Sequence, residues 1–154
     1  MPTSHIPHTT MHWNTLSKYQ DIGLLVLRLG FGLGFLFFHG WGKLTGGPEV
    51  WADVGGVMTI FGIGFGHAFF GFMAAFAESI GGLMFAAGLL FRPISSLLAF
   101  VMFTAMLNHF ISGQGTPAHA FKNLFVLLGI MTVGPGKYSL DSVIASKCST
   151  SADD

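Results

Sequence analysis

The stretch FFGFMAAFAESIGGLMFAAGLLF, residues 69–91, decides the fold class: it is apolar throughout apart from Ser79 and one charge, Glu78, near its middle. As a helix rising about 1.5 Å per residue it is about 34 Å long, enough to cross a hydrocarbon layer about 30 Å thick. A carboxylate at such depth is costly and marks function by default. Working outward, three further apolar runs share the plan of polar residues set inside or at an end. Ile22 to His39 carries Arg28 and ends on His39, Ile94 to Ile111 carries Asn108 and His109, and Phe121 to Val133 carries Lys122. These runs predict an all-α, integral membrane four-helix bundle with a polar interior.

Composition agrees. Charged residues make up 9% of the chain and hydrophobic residues 51%, with 17 phenylalanines, whereas a soluble domain carries roughly 25% charged residues. The formal net charge is zero, so no basic footprint argues for nucleic acid. The single cysteine, Cys148, lies in a polar C-terminal stretch, which excludes an internal disulfide and a CxxC redox pair. The first 21 residues lack the apolar core and cleavage site of a secretory signal, so the first span is expected to direct insertion.

Between the first two spans, Gly40 to Gly66 is mixed in character and reads as an interfacial loop with Trp41, Lys43, Gly46, Gly47, Pro48, Glu49, Trp51 and Asp53. Within it Val57 to Phe65 is too short to span, and lies flat on the membrane or dips into it as a re-entrant segment. Arg92 and Pro93 read as a tight turn that makes the second and third spans antiparallel neighbours. Gly134, Pro135 and Gly136 stop the fourth. The organisation is a polar tail over 1–20, in which His5, His8 and His12 are solvated, a membrane domain over 21–136, and a polar, disordered tail over 137–154. Lys18, Arg92, Lys137 and Lys147 stand on the side of the termini against Lys43 and Lys122 on the other. By the positive-inside rule both termini are cytoplasmic.

Counting depth at about 1.5 Å per residue from the cytoplasmic end of each span puts Arg28 about 9 Å in. The same count puts His39, Glu78 and His109 about 20 to 25 Å in. Arg28 and His39, eleven residues apart, share a helix face, and Lys43 extends that stripe by a turn. A long guanidinium can close several ångströms, so an ion pair between Arg28 and Glu78 is expected, either as a simple lock between helices or as part of a site. The candidate catalytic residues are Glu78 and His39, and the candidate substrate-binding residues are Arg28, Lys43, Asn108 and His109. No HxxxH or similar spacing supports a metal site. Phe31, Phe35, Phe85, Met84, Met102 and Met106 read as lipid contacts and bundle packing, with surfaces that suit a flat quinone. Glycines at 30, 32 and 34 allow close helix approach and homo-oligomers.

The chain resembles the DoxX family of small four-helix membrane proteins. The residues that carry the resemblance are Arg28-Leu29 with Gly32, Phe37-Phe38-His39-Gly40 and Lys43-Leu44. The same holds for Glu78-Ser79-Ile80-Gly81-Gly82, Gly88-Leu89 and Phe91-Arg92-Pro93, and then for Gly134 to Asp141, GPGKYSLD. It extends from Asp21 to Asp141. The family takes its name from a membrane subunit linked to a quinone-reducing oxidoreductase, so the resemblance implies a redox-associated subunit in a bacterial inner membrane. The chain has no flavin, haem or iron-sulfur motif, and redox chemistry would therefore need a soluble enzyme partner or a diffusible quinone. In that reading His39 or His109 bonds a quinone carbonyl, Glu78 exchanges the proton and Arg28 holds Glu78 charged. The alternative is a non-enzymatic scaffold for soluble redox enzymes, or a small-solute carrier.

Overall fold

A computed structural model describes residues 13–150, which form helices joined by short turns, with no strand among them. The elements are α1 (Trp13–Gly34), α2 (Trp41–Thr45), α3 (Gly47–Gly55), α4 (His67–Phe76), α5 (Gly82–Ala87), α6 (Phe91–Ser112), α7 (Ala118–Val133) and α8 (Leu140–Thr150). A π-helical segment, Phe35–Gly40, joins α1 to α2, a second, Ala77–Gly81, joins α4 to α5, and a tight 3-10 segment, Gly56–Phe61, follows α3. Three continuous helical stretches, Tyr19–Thr45, His67–Ala87 and Phe91–Ser112, are long and apolar enough to cross a membrane, and Ala118–Val133 is a shorter apolar helix. The chain is thus an all-helical integral membrane protein. His5, His8 and His12 lie outside the described residues.

The first span is longer than its apolar core suggests, because the helix continues through His39 to Thr45. The expected interfacial loop is itself helical: α3 starts with Pro48 in its first turn, where no backbone donor is needed, and packs along α4. The contact is intimate, since a Cβ on Gly71 would meet Trp51 O and one on Gly55 would meet His67 O, while Trp51 and Phe72 rings stand edge to face at 5.0 Å. Lower down, Gly40 lies against the backbone of Glu78 and Ser79, and Gly32 against Gly82 and Ala86. Later residues of α1 to α3 meet earlier residues of α4 and α5, so the two arms form one antiparallel hairpin whose glycines let the backbones touch.

The tight turn falls at Gly88 to Leu90, before the Arg92 and Pro93 where it was expected. Gly88 and Leu90 both take left-handed backbone angles, φ 68° and 46°, and Pro93 sits in the first turn of α6. Asp141 holds this turn from the C-terminal segment: its carboxylate accepts from Leu90 N at 2.8 Å and Phe91 N at 2.9 Å, and its own N–H donates to Gly88 O at 3.0 Å. The segment after Gly136, expected to be disordered, therefore folds back on the bundle and continues as α8. Asp21 adds a further tie by accepting from Lys137 N at 2.9 Å.

Phe35, Phe85, Phe91, Leu98, Met102 and Leu127 form the centre of the core, with Phe31 and Met106 packed against it. Phe35, Phe85 and Met102 are thus bundle packing rather than lipid contacts. Phe37, Phe38, Phe69, Phe100 and Phe125 face outward, as expected where the surrounding solvent is lipid.

Candidate functional site

Glu78 lies in the second π-helical segment and is 1% exposed. Lys43 comes one turn after the first π segment and brings Nζ to 2.5 Å from Glu78 Oε2. Such segments are rare and widen the helix locally, which re-aims the residues around them. Here the two face each other across the hairpin, with Gly40 touching the Glu78 backbone, so the charged pair is framed by both irregularities. Trp51 fixes the lysine backbone by donating Nε1–H to Lys43 O at 2.8 Å. The side chain of Lys43 is 32% exposed. The lysine is therefore the member that reaches open space, and the carboxylate stands behind it.

That space is a cavity of about 560 Å³ whose wall includes Lys43, Asp53, Asn108, His109, Ser112 and Gln114. It lies between the end of α3, the 3-10 segment and the last turns of α6. His109 Nδ1 is 2.7 Å from Gln114 O. A carbonyl only accepts, so His109 Nδ1 carries a proton and donates it to Gln114 O. The cavity thus gathers an ammonium, an amide, an imidazole and a carboxylate, with a second carboxylate behind the ammonium. This set can donate hydrogen bonds to a polar head group from an ammonium that the Glu78 carboxylate holds in place.

Three of the residues expected in one cluster, Lys43, Asn108 and His109, line this cavity, and Glu78 is tied to it by the ion pair. The expected Arg28 to Glu78 pair does not form. Glu78 stands opposite Gly40, twelve residues beyond Arg28, an axial distance of about 18 Å that no guanidinium can span. Arg28 is instead fully buried at the far end of the hairpin, where Nη2 donates to Tyr138 O and Nη1 packs on Gly88 so closely that a Cβ there would collide with it. Arg28 Nε and Nη1 meet no acceptor among the described residues. His39 is also elsewhere: its ring lies 5.7 Å from that of Phe35 and lines a separate cavity of about 210 Å³ with His119 and Asn123.

The sequence reading names Asp53 only as a loop residue and Asp141 only as the end of the GPGKYSLD stretch, and gives neither a site or clamp role. Asp53 is an acid within the run VWADVGG, and Asp141 follows GPGKYSL; each is a charge inside an otherwise weakly polar segment, which was the available signal. No group of three or more His, Cys, Asp or Glu side chains converges among the described residues.

No curated protein and no solved structure matches the chain. The DoxX family model matches residues 23–111, a segment that holds Arg28, Lys43, Glu78, Asn108 and His109 and leaves out α7 and the GPGKYSLD turn. With more than half of its 154 residues matched, the chain belongs to the DoxX family.

Proposed function

We propose that the protein is a redox-associated membrane subunit that binds a quinone in the cavity above the Lys43 to Glu78 pair. The observation that carries this reading is the buried carboxylate joined at 2.5 Å to a lysine that opens on a cavity of about 560 Å³. An ion pair whose only task is to join helices needs no such opening, and a buried pair adds little net stability over apolar packing.

In this reading the Lys43 ammonium donates to one quinone carbonyl and the Asn108 amide to the other. His109 and Asp53 hold the edge of the head group. Two electrons come from a soluble redox enzyme, and two protons convert the quinone to hydroquinone. The Lys43 ammonium gives one proton and water entering the open side of the cavity gives the other and reprotonates the lysine, while the Glu78 carboxylate holds the ammonium in place. Arg28 takes no part in this chemistry; it closes the opposite end of the hairpin. His39 lies in the wall of a different cavity and is not assigned to the head group.

The same proposal has four spans, with α7 as the fourth, and both termini on the cytoplasmic side of a bacterial inner membrane. The charges at 18, 92, 137 and 147 support that orientation. The test is extraction of bound small molecules from protein purified in mild detergent, followed by mass spectrometry on the wild type and on Glu78→Gln. Quinone retained by the wild type and lost from a well-folded Glu78→Gln is the expected result. Quinone absent from both would favour a scaffold for soluble enzymes.

A further inference from the structure

A third cavity is lined by residues that neighbour those of the polar cavity in the chain, and its chemistry is the opposite. It has a volume of about 230 Å³ and a wall that includes Met58, Phe70, Met73, Ala74, Leu97 and Val101. The one polar side chain in that wall, Thr104, spends its hydroxyl on Val101 O at 2.8 Å. What remains is carbon and sulfur, and a cavity so lined does not hold water.

The walls of the polar and the apolar cavity follow one another along α6 and along the 3-10 segment. Thr104 belongs to the apolar wall and Ala105 to the polar one; Met58 belongs to the apolar wall and Gly56 and Val57 to the polar one. On α6 the polar cavity takes residues 105 to 112 and the apolar one residues 97 to 104. The polar cavity thus lies toward the end of the helix and the apolar cavity toward its middle. This is the order in which a membrane amphiphile arranges itself, head near the interface and chain toward the centre.

We infer that the site takes a quinone carrying a long prenyl chain, with the first part of that chain seated between α4 and α6 beneath the 3-10 segment. The inference rests on the head-group reading above and deepens it by assigning a tail path. Met58 and Met73 suit this task, because unbranched thioether side chains adapt to a chain of irregular outline. The cavity sets specificity: a ring without a tail gains only the polar contacts, whereas a prenylated ring also fills the apolar wall. The ligand enters sideways from the lipid, between α4 and α6, and not from water.

The test compares two probes, a prenylated benzoquinone and the same ring without its chain, titrated into the full chain in lipid nanodiscs. Val101→Phe, which fills the apolar cavity, is expected to weaken binding of the prenylated probe about tenfold and leave the tailless probe unchanged. Because an added ring in the core can disturb folding, a second measurement uses the wild type with a prenylated quinone bearing a photoreactive diazirine on its first prenyl units. Crosslinks to α4 and α6 peptides at Met73 and Val101 are expected. Equal effects of Val101→Phe on both probes, or crosslinks confined to the separate apolar groove between α6 and α7 that Phe103, Leu124 and Leu128 line, would overturn the tail path while leaving the head site standing. Failure of both probes to bind the wild type would instead remove the head-group reading, and the tail path with it.

Discussion

Lys43→Met leaves Glu78 at 1% exposure with no cation at its oxygen, and the size of the penalty follows from that burial. Removing one partner of a buried ion pair costs about 3 to 5 kcal/mol, because the remaining charge is desolvated without compensation. The partial exposure of Lys43 means the pair is not sealed, which places the expected loss near the lower end, about 3 kcal/mol. Glu78→Gln is milder: the ammonium it leaves can turn toward the cavity, and the cost is about 1 to 2 kcal/mol. The double variant carries no charge at either position and should fall within about 1 kcal/mol of the wild type, since a buried pair contributes little net stability. The coupling is therefore about 3 to 5 kcal/mol, far above the few tenths expected of independent sites. Reversible unfolding of all four proteins in mixed micelles of increasing dodecyl sulfate fraction, followed by circular dichroism, gives the cycle. Additive losses, or a double variant less stable than either single one, would refute the pairing of these two side chains as the source of stability.

Four further outcomes follow from the packing. A methyl group at Gly40 would sit 2.4 Å from Ser79 N and 2.6 Å from the Glu78 carbonyl carbon, so Gly40→Ala should cost about 2 to 3 kcal/mol in the same unfolding assay. Gly129→Ala, with nothing within 4 Å, should be neutral or slightly stabilising. Asp141→Asn keeps one acceptor and turns an amide donor toward a backbone N–H. Hydrogen exchange at Leu90 and Phe91 should accelerate, with a stability loss of about 1 to 2 kcal/mol; unchanged exchange there would contradict the clamp described for the turn. Arg28→Met should loosen the segment from Lys137 to Thr150, read as faster proteolytic clipping there, and leave quinone retention intact, because Arg28 and the cavity stand at different levels of the bundle.

The helices were legible in the sequence because apolar runs of that length have few alternatives; Asn108 and His109 were legible as polar residues inside an apolar run, and Lys43 by its helical phase with Arg28 and His39. The Arg28 to Glu78 pair failed for a definite reason. Depth was counted from the cytoplasmic end of each apolar run, which assumes that the runs begin and end level with one another. The first helix does not: it continues through Thr45 into α3, and the hairpin register set by Gly32, Gly40 and Gly55 brings Lys43, not Arg28, to the carboxylate. The two π-helical segments leave no mark in composition, since they are made of the same residues as the helix around them. The true partner of Arg28 was a backbone carbonyl, Tyr138 O, and backbone acceptors cannot be read from residue types. The C-terminal segment looked like a polar tail because its contacts with the bundle are made by Asp141 and by main chain atoms, not by an apolar face.

The most direct test of the central claim, that a quinone head group binds at Lys43, is a dipolar-recoupling solid-state NMR measurement. It would use a prenylated quinone labelled with ¹³C at its carbonyls and protein labelled with ¹⁵N at lysine Nζ, reconstituted in lipid. A hydrogen bond from the ammonium places Lys43 Nζ about 4 Å or less from one carbonyl carbon, and the coupling should vanish in Lys43→Met. Coupling to no lysine from a bound quinone, or a coupling that survives Lys43→Met, would contradict the account.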